Sequence, residues 1–151
     1  MNYSKLQEFI KKYGDCDDFT GGVSEEKVFE IENSLQVTLP NSYKWFLRNY
    51  GSGGIFGIDI QGYDYDGASV VELTNNYREF YKLIDGIVVI EDIDEFAYCL
   101  DTNKMRDEEC PVIMWDNLEG YGRKLADNFL EYFNQRLESA KENWEEDQED
   151  W

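Results

Sequence analysis

The stretch IVVIEDIDEFAYCLD, from Ile87 to Asp101, decides the reading of the fold. Ile87 to Ile90 is a continuous β-branched run, the pattern of a strand covered on both faces. Phe96 to Leu100 is a second such segment, and the acids Glu91, Asp92, Asp94 and Glu95 lie between the two. Further on, Val112 to Trp115 reads as a third strand behind another loop rich in Asp and Glu. Three neighbouring, well-buried strands are predicted, and they form the layer on which the rest of the chain packs.

Upstream of this layer the apolar spacing turns helical. Leu6, Phe9, Ile10 and Tyr13 recur at i, i+3, i+4 and i+7 behind a capping-box pattern, Ser4 with Gln7, and stop at Gly14. Ser24 with Glu25 and Glu26 predicts the start of a second helix that turns Val28, Ile31 and Leu35 inward. Pro40 suits the first position of a third, in which Tyr43, Phe46, Leu47 and Tyr50 share a stripe that Trp45 leaves. After the connector Ser52 to Gly54, period-two alternation of Phe56, Ile58 and Ile60 predicts a half-buried strand over 55 to 61. A brief strand at Val70-Val71 and a helix with Tyr77, Phe80, Tyr81 and Ile84 inward precede the turn at Asp85-Gly86.

From about Arg123 the spacing of Ala126, Leu130, Phe133, Leu137, Ala140 and Trp144 predicts a long closing helix. The residues after Lys141 are acidic and read as a frayed helix end or tail over 142 to 151, and Trp151 has no evident duty. The expected fold is α+β. One mixed or mostly antiparallel sheet carries the strands near 55 to 61, 70, 87 to 91, 96 to 101 and 112 to 116. N-terminal helices and the long C-terminal helix pack on it, within one domain spanning residues 1 to 151.

Composition narrows the function. A chain of 151 residues with 16% aromatics can close one core. Its 33 acidic and 14 basic residues give a net charge of −19, which repels nucleic acid and anionic lipid and attracts basic proteins. No apolar run reaches membrane-spanning length and the first residues lack a signal-peptide order, so a cytoplasmic protein is expected. Cys16, Cys99 and Cys110 are odd in number and far apart, which suits free thiols in a reducing compartment.

Histidine is absent, which removes Ser-His and Cys-His dyads, His-based zinc sites and the commonest general base. The glycines at 51, 53 and 54 are not a phosphate loop, because no Gly-Lys-Ser/Thr follows. Aligning Gly67 on the glycine of a calcium loop puts Gly62 and Leu73 at ligand positions, so the turn Asp64 to Gly67 fails as such a loop. Glu91, Asp92, Asp94 and Glu95 follow a strand, where hydrolytic carboxylates often stand, but in so acidic a chain close carboxylate pairs arise by chance. No catalytic residue, metal or cofactor is expected. The stronger constellation sets aromatics beside acids: Tyr63 and Tyr65 with Asp59, Asp64 and Asp66, and Trp45 off its stripe. Core burial is the ordinary fate of any one aromatic, yet exposed Tyr and Trp among carboxylates would anchor a Lys/Arg-rich partner.

The order of motifs resembles the SUKH superfamily along nearly the whole chain. Ser24-Glu25-Glu26, Leu39-Pro40, Tyr43-Lys44, Phe46-Leu47, Tyr50-Gly51 and Gly53-Gly54 are similar to its opening. Val88 to Ile90, Phe96 to Asp101, Pro111 to Ile113, Trp115-Asp116 and Leu125 to Phe129 are similar to its later strands and closing helix. The resemblance implies a non-catalytic α+β domain used by bacteria as an immunity protein that binds and blocks a polymorphic toxin, with relatives that act as regulatory adaptors. The matching residues look like fold determinants, and toxin contacts do not transfer. Charge and resemblance together lead to the expectation of a basic, nuclease-type toxin as partner. Trp45, Asp59, Tyr63, Asp64, Tyr65, Asp66, Glu91, Asp92, Asp94 and Glu95 form the candidate contact set.

Overall fold

In the computed structural model, which describes residues 1–149, four strands form an antiparallel meander in the order β1-β2-β3-β4. These are β1 (Ile87–Asp92), β2 (Phe96–Asp101), β3 (Val112–Asp116) and β4 (Gly120–Ala126). Around them lie α1 (Ser4–Tyr13), α2 (Glu25–Leu35), α3 (Asn41–Asn49), α4 (Ser69–Phe80) and α5 (Phe129–Glu149). The fold is α+β, as the apolar runs of the first two strands predict.

The buried runs need both faces of the sheet covered, and they are. Val88, Ile90, Leu100, Val112 and Ala126 join the main core with Tyr43 and Phe46 of α3 and Phe129 and Phe133 of α5. On the opposite face Ile87, Val89, Ala97, Cys99, Ile113 and Trp115 pack against Tyr77 and Leu83. The buried Thr74 hydroxyl accepts the Val89 N–H at 3.0 Å, which ties α4 to β1 where the β1–β2 register shifts. Opposite the strands, Phe46 and Phe129 stand 5.6 Å apart and Phe46 and Phe133 5.4 Å, so aromatic packing welds α3 to α5.

Several elements differ from the sequence expectation. Residues 55 to 61 are not a strand: Phe56 and Gly57 both take positive φ (55° and 84°), which reverses the chain, and Ile60 forms an isolated bridge with Gly53. Ile55, Ile58 and Ile60 still bury, so the alternation records burial by a wrapped loop. Val70 is buried in the first turn of α4, not in a strand. That helix ends at Phe80, and Lys82 turns left-handed (φ 58°) with Leu83 N–H donating to the Tyr77 carbonyl at 3.2 Å. Of its predicted inward stripe, Tyr77 is buried, while Phe80 and Tyr81 at the helix end and Ile84 beyond the reversal are exposed.

Arg123 to Ala126 belong to β4, and α5 starts only after Asn128, whose side chain accepts the Glu131 N–H at 2.9 Å. Trp144 is half exposed and rests on Phe56, with ring centroids 5.5 Å apart. At the other termini the caps also move. The Asn2 side chain accepts the Ser4 N–H at 2.9 Å, so Ser4 stands inside α1. Pro40 is the N-cap of α3, and Glu109 holds the helix start by accepting from Ser42 N (2.9 Å) and Ser42 Oγ (2.5 Å). A carboxylate there also meets the positive end of the helix dipole. Trp151 lies outside the described residues.

Candidate functional site

The loop after Ile60 is built on glycines that let backbone approach backbone. Gly51 has φ 74°, and a Cβ there would run into the Gly21 carbonyl; a Cβ on Gly62 would in turn meet the Gly51 carbonyl. Gly51 accepts the Tyr63 N–H at 3.0 Å, Gly62 accepts the Val70 N–H at 3.1 Å, and the Thr20 and Ser52 hydroxyls share a hydrogen bond of 2.8 Å beneath. On this base Asp64 and Gly67 exchange backbone hydrogen bonds at 2.9 and 3.2 Å, and the Asp64 side chain accepts the Asp66 N–H at 2.8 Å. The turn therefore holds its shape without help from its own side chains at the tip. Tyr65, at that tip, is 86% exposed.

Tyr63, Asp64, Tyr65 and Asp66 line one wall of an open groove of about 480 Å³, and Thr20 to Val23 with Lys27 line the other. Lys27 Nζ lies 4.8 Å from the centre of the Tyr63 ring, and the neighbouring Glu30 carboxylate raises the Tyr63 hydroxyl above its usual pKa. Asp59 is exposed next to the groove's supporting segment and accepts from Gln61 Nε2 at 3.2 Å.

Gln61 links this loop to the sheet. Its backbone N–H donates to the Ile90 carbonyl at 2.7 Å, and its side chain shares a shallow depression with Glu72, Asn76 and Asp92. Asp92 is exposed and accepts the Tyr77 hydroxyl at 2.9 Å and the Asp94 N–H at 3.1 Å. Asp94, at φ 72°, and Glu95 form the exposed turn between β1 and β2, which Asn117 ties to the next hairpin through the Asp94 and Glu95 carbonyls. The depression thus joins the two acidic segments, 59 to 66 and 92 to 95, along one side of the sheet.

Two members of the candidate set stand apart. Glu91 is 3% exposed: its side chain points into the core face, where Tyr132 donates to it and Arg136 grips both carboxylate oxygens. It cannot meet a partner without leaving that pair. Trp45 lies flat on Tyr3, with centroids 4.1 Å apart and planes within 5°, and its edge meets Tyr50, so its displacement from the helical stripe is explained by the residue that precedes α1. The structure also exposes apolar residues that the sequence reading turned inward or passed over, among them Phe80, Ile84 and Leu118. Periodicity turned Phe80 and Ile84 inward because it could not see that the helix ends at Phe80, and Leu118 lies in the turn between β3 and β4, outside any periodic segment.

Among the described residues no group of three or more Cys, Asp or Glu side chains is placed to hold a metal ion, and no helix is long and apolar enough to cross a membrane.

Residues 6–138 match the family model SUKH_5, described as SMI1-KNR4 cell-wall, and the chain belongs to that family. The SUKH group includes immunity proteins. The chain is 28% identical over 102 residues to "Uncharacterized protein YnaB" of Bacillus subtilis (strain 168), a match covering 67% of this chain and 65% of that relative's length. A crystal structure of a protein from Pseudomonas syringae pv. tomato superposes with a TM-score of 0.60 at 16% identity, over 79% of this chain and 89% of that one. That likeness concerns the fold alone.

Proposed function

We propose that this chain is a non-catalytic immunity protein that binds and neutralises a cognate toxin, with a nuclease-type toxin domain as the partner. One observation carries the reading: a hydrogen-bonded turn presents Tyr65, 86% exposed, between Asp64 and Asp66 on a chain of net charge −19. A nuclease needs a basic groove for phosphates, and a protein of this charge would be steered into such a groove before the aromatic side chain seats. The contact surface comprises Asp59, Tyr63, Asp64, Tyr65 and Asp66, continued by Asp92, Asp94 and Glu95. Binding would be stoichiometric and would occlude the toxin's substrate site.

Co-expression with a candidate cognate toxin domain of the nuclease type tests the proposal. Host survival with a tight, salt-weakened complex is the expected outcome; host death with no complex rejects it. A second reading, a regulatory adaptor with several cellular partners, rests on the resemblance to SUKH relatives of that kind. That reading requires recovery of housekeeping proteins, and of no toxin, on the same surface.

A further inference from the structure

Lys27 lies on the wall of the groove opposite Tyr63 and sets its ammonium 4.8 Å from the centre of the Tyr63 ring. The side chain is exposed and, among the described residues, pairs with no carboxylate. A lysine with open solvent around it rests instead on an aromatic face, where the negative potential of the ring attracts a cation. The groove thus already holds a cation, one that the chain supplies itself.

Its remaining chemistry is in excess of that one charge. Asp64 and Asp66 line the groove and Glu30 stands at the Tyr63 hydroxyl, so three carboxylates are set against one ammonium. Among the described residues none of the three is in an ion pair. Asp64 accepts the Asp66 N–H at 2.8 Å through one oxygen, which leaves its second oxygen and the whole Asp66 carboxylate for a donor from outside. There is also room. A Cβ on Gly21 or Gly67 would meet nothing within 4 Å, so both rims are open, and about 480 Å³ is more than one long side chain fills.

A guanidinium suits this site better than an ammonium does. It is planar and more weakly hydrated, it stacks on aromatic faces, and its fork of N–H donors matches the two oxygens of a carboxylate. We propose that the groove is the seat of an arginine side chain of the toxin, which displaces Lys27 from Tyr63, stacks on the ring and pairs with Asp64 or Asp66. Lys27 is then the placeholder of the free protein: it competes for the ring and, once displaced, moves into the solvent it already borders. The partner named here rests on the assignment of this surface to a toxin.

The probe is a capped pentapeptide, Gly-Leu-Arg-Leu-Gly, with twins that carry Lys or the neutral isostere citrulline in place of Arg. Each is titrated into the full chain and followed by amide NMR. No toxin is needed, so failure of this seat and failure of the immunity reading are seen separately. The Arg peptide is expected to bind saturably with a Kd of about 1 to 10 mM and to shift the amides of residues 21 to 23 and 63 to 67. The Lys twin should bind at least about threefold more weakly, and the citrulline twin should leave these amides unmoved. Lys27→Ala is expected to tighten the Arg peptide at least about threefold, whereas Lys11→Ala, the same charge change at an exposed site on α1, should alter it less than about 1.5-fold. Asp64→Asn with Asp66→Asn keeps an oxygen for the residue-66 N–H, and should weaken binding at least about threefold with the thermal midpoint retained. The proposal is overturned by the absence of saturable shifts up to about 20 mM, by shifts centred elsewhere, by a Lys or citrulline twin that binds as well, or by an affinity that either variant leaves unchanged.

Discussion

Arg136 holds Glu91 through two parallel hydrogen bonds, Nε to Oε2 at 3.0 Å and Nη2 to Oε1 at 2.6 Å, and so anchors α5 to the end of β1. Glu91 is 3% exposed, while Arg136 keeps about a quarter of its side chain in solvent. The pair is thus asymmetric, with the carboxylate bearing most of the desolvation.

Breaking that pair from the arginine side leaves a buried charge with Tyr132 as its remaining donor. Arg136→Ala is expected to cost about 3 kcal/mol, and Glu91→Gln, which abolishes the charge, only about 1 kcal/mol. The double variant Glu91→Leu with Arg136→Met should recover most of the loss. Urea unfolding of the three variants checks the order.

Alkaline titration should separate the tyrosines. Burial raises Tyr43, Tyr77 and Tyr132 above the usual 10.0, with Asp92 adding to the shift at Tyr77 and Glu91 to that at Tyr132. Because the folded-state values are the higher ones, this stability is fully present below pH 10 and is lost as pH rises further. These three are expected to ionise only as the chain unfolds. Tyr13, lowered by Lys12 and Lys141, should ionise before them; tyrosinate absorbance against pH follows both events.

Gly51→Ala is expected to destabilise by about 2 to 4 kcal/mol, since the new methyl meets the Gly21 carbonyl at a φ that L residues avoid. Gly57→Ala also falls at positive φ, with nothing within 4 Å, and should cost only about 1 kcal/mol. Thermal unfolding of the two variants distinguishes collision from backbone strain.

Asp64→Lys together with Asp66→Lys should slow association with a basic toxin about tenfold at low salt. The Asp64 carboxylate bonds only within its own turn, so stability is expected to change by about 0.5 kcal/mol or less. Stopped-flow mixing at two ionic strengths measures the effect, and unchanged association at low salt would remove this turn from the interface.

Thiol chemistry offers a check on burial. Cys16 is exposed, whereas burial raises the Cys99 thiol and pushes that of Cys110 up to about 12. One equivalent of iodoacetamide is expected to react quickly with the native chain, at Cys16, and the other two only after denaturation.

What was legible from residues was whatever depended on local pattern and burial. The runs Ile87 to Ile90, Phe96 to Leu100 and Val112 to Trp115 announced their strands because a strand covered on both faces must be apolar throughout. The first three helices were likewise visible in their apolar spacing. β4 was not, because an edge strand with charged Arg123 and Lys124 carries no continuous apolar run and borders the helical pattern that follows. Of the candidate site, the turn Asp64 to Gly67 was legible from turn chemistry, whereas the exposure of Tyr65 was not, since core burial is the ordinary fate of any one aromatic.

By itself the sequence determined the α+β class, the absence of histidine chemistry and the strongly acidic character, since composition and periodicity are properties of the chain and survive any arrangement of it. Tertiary structure decided which of the many acids face solvent. Glu91 and Asp92 are adjacent, yet the alternation of a strand sends the first inward to Arg136 and leaves the second outside, near Gln61. The same contest of distant partners assigned Trp45 to Tyr3 and put Phe80 in solvent, because the direction of a side chain depends on where its element ends and on what packs against it.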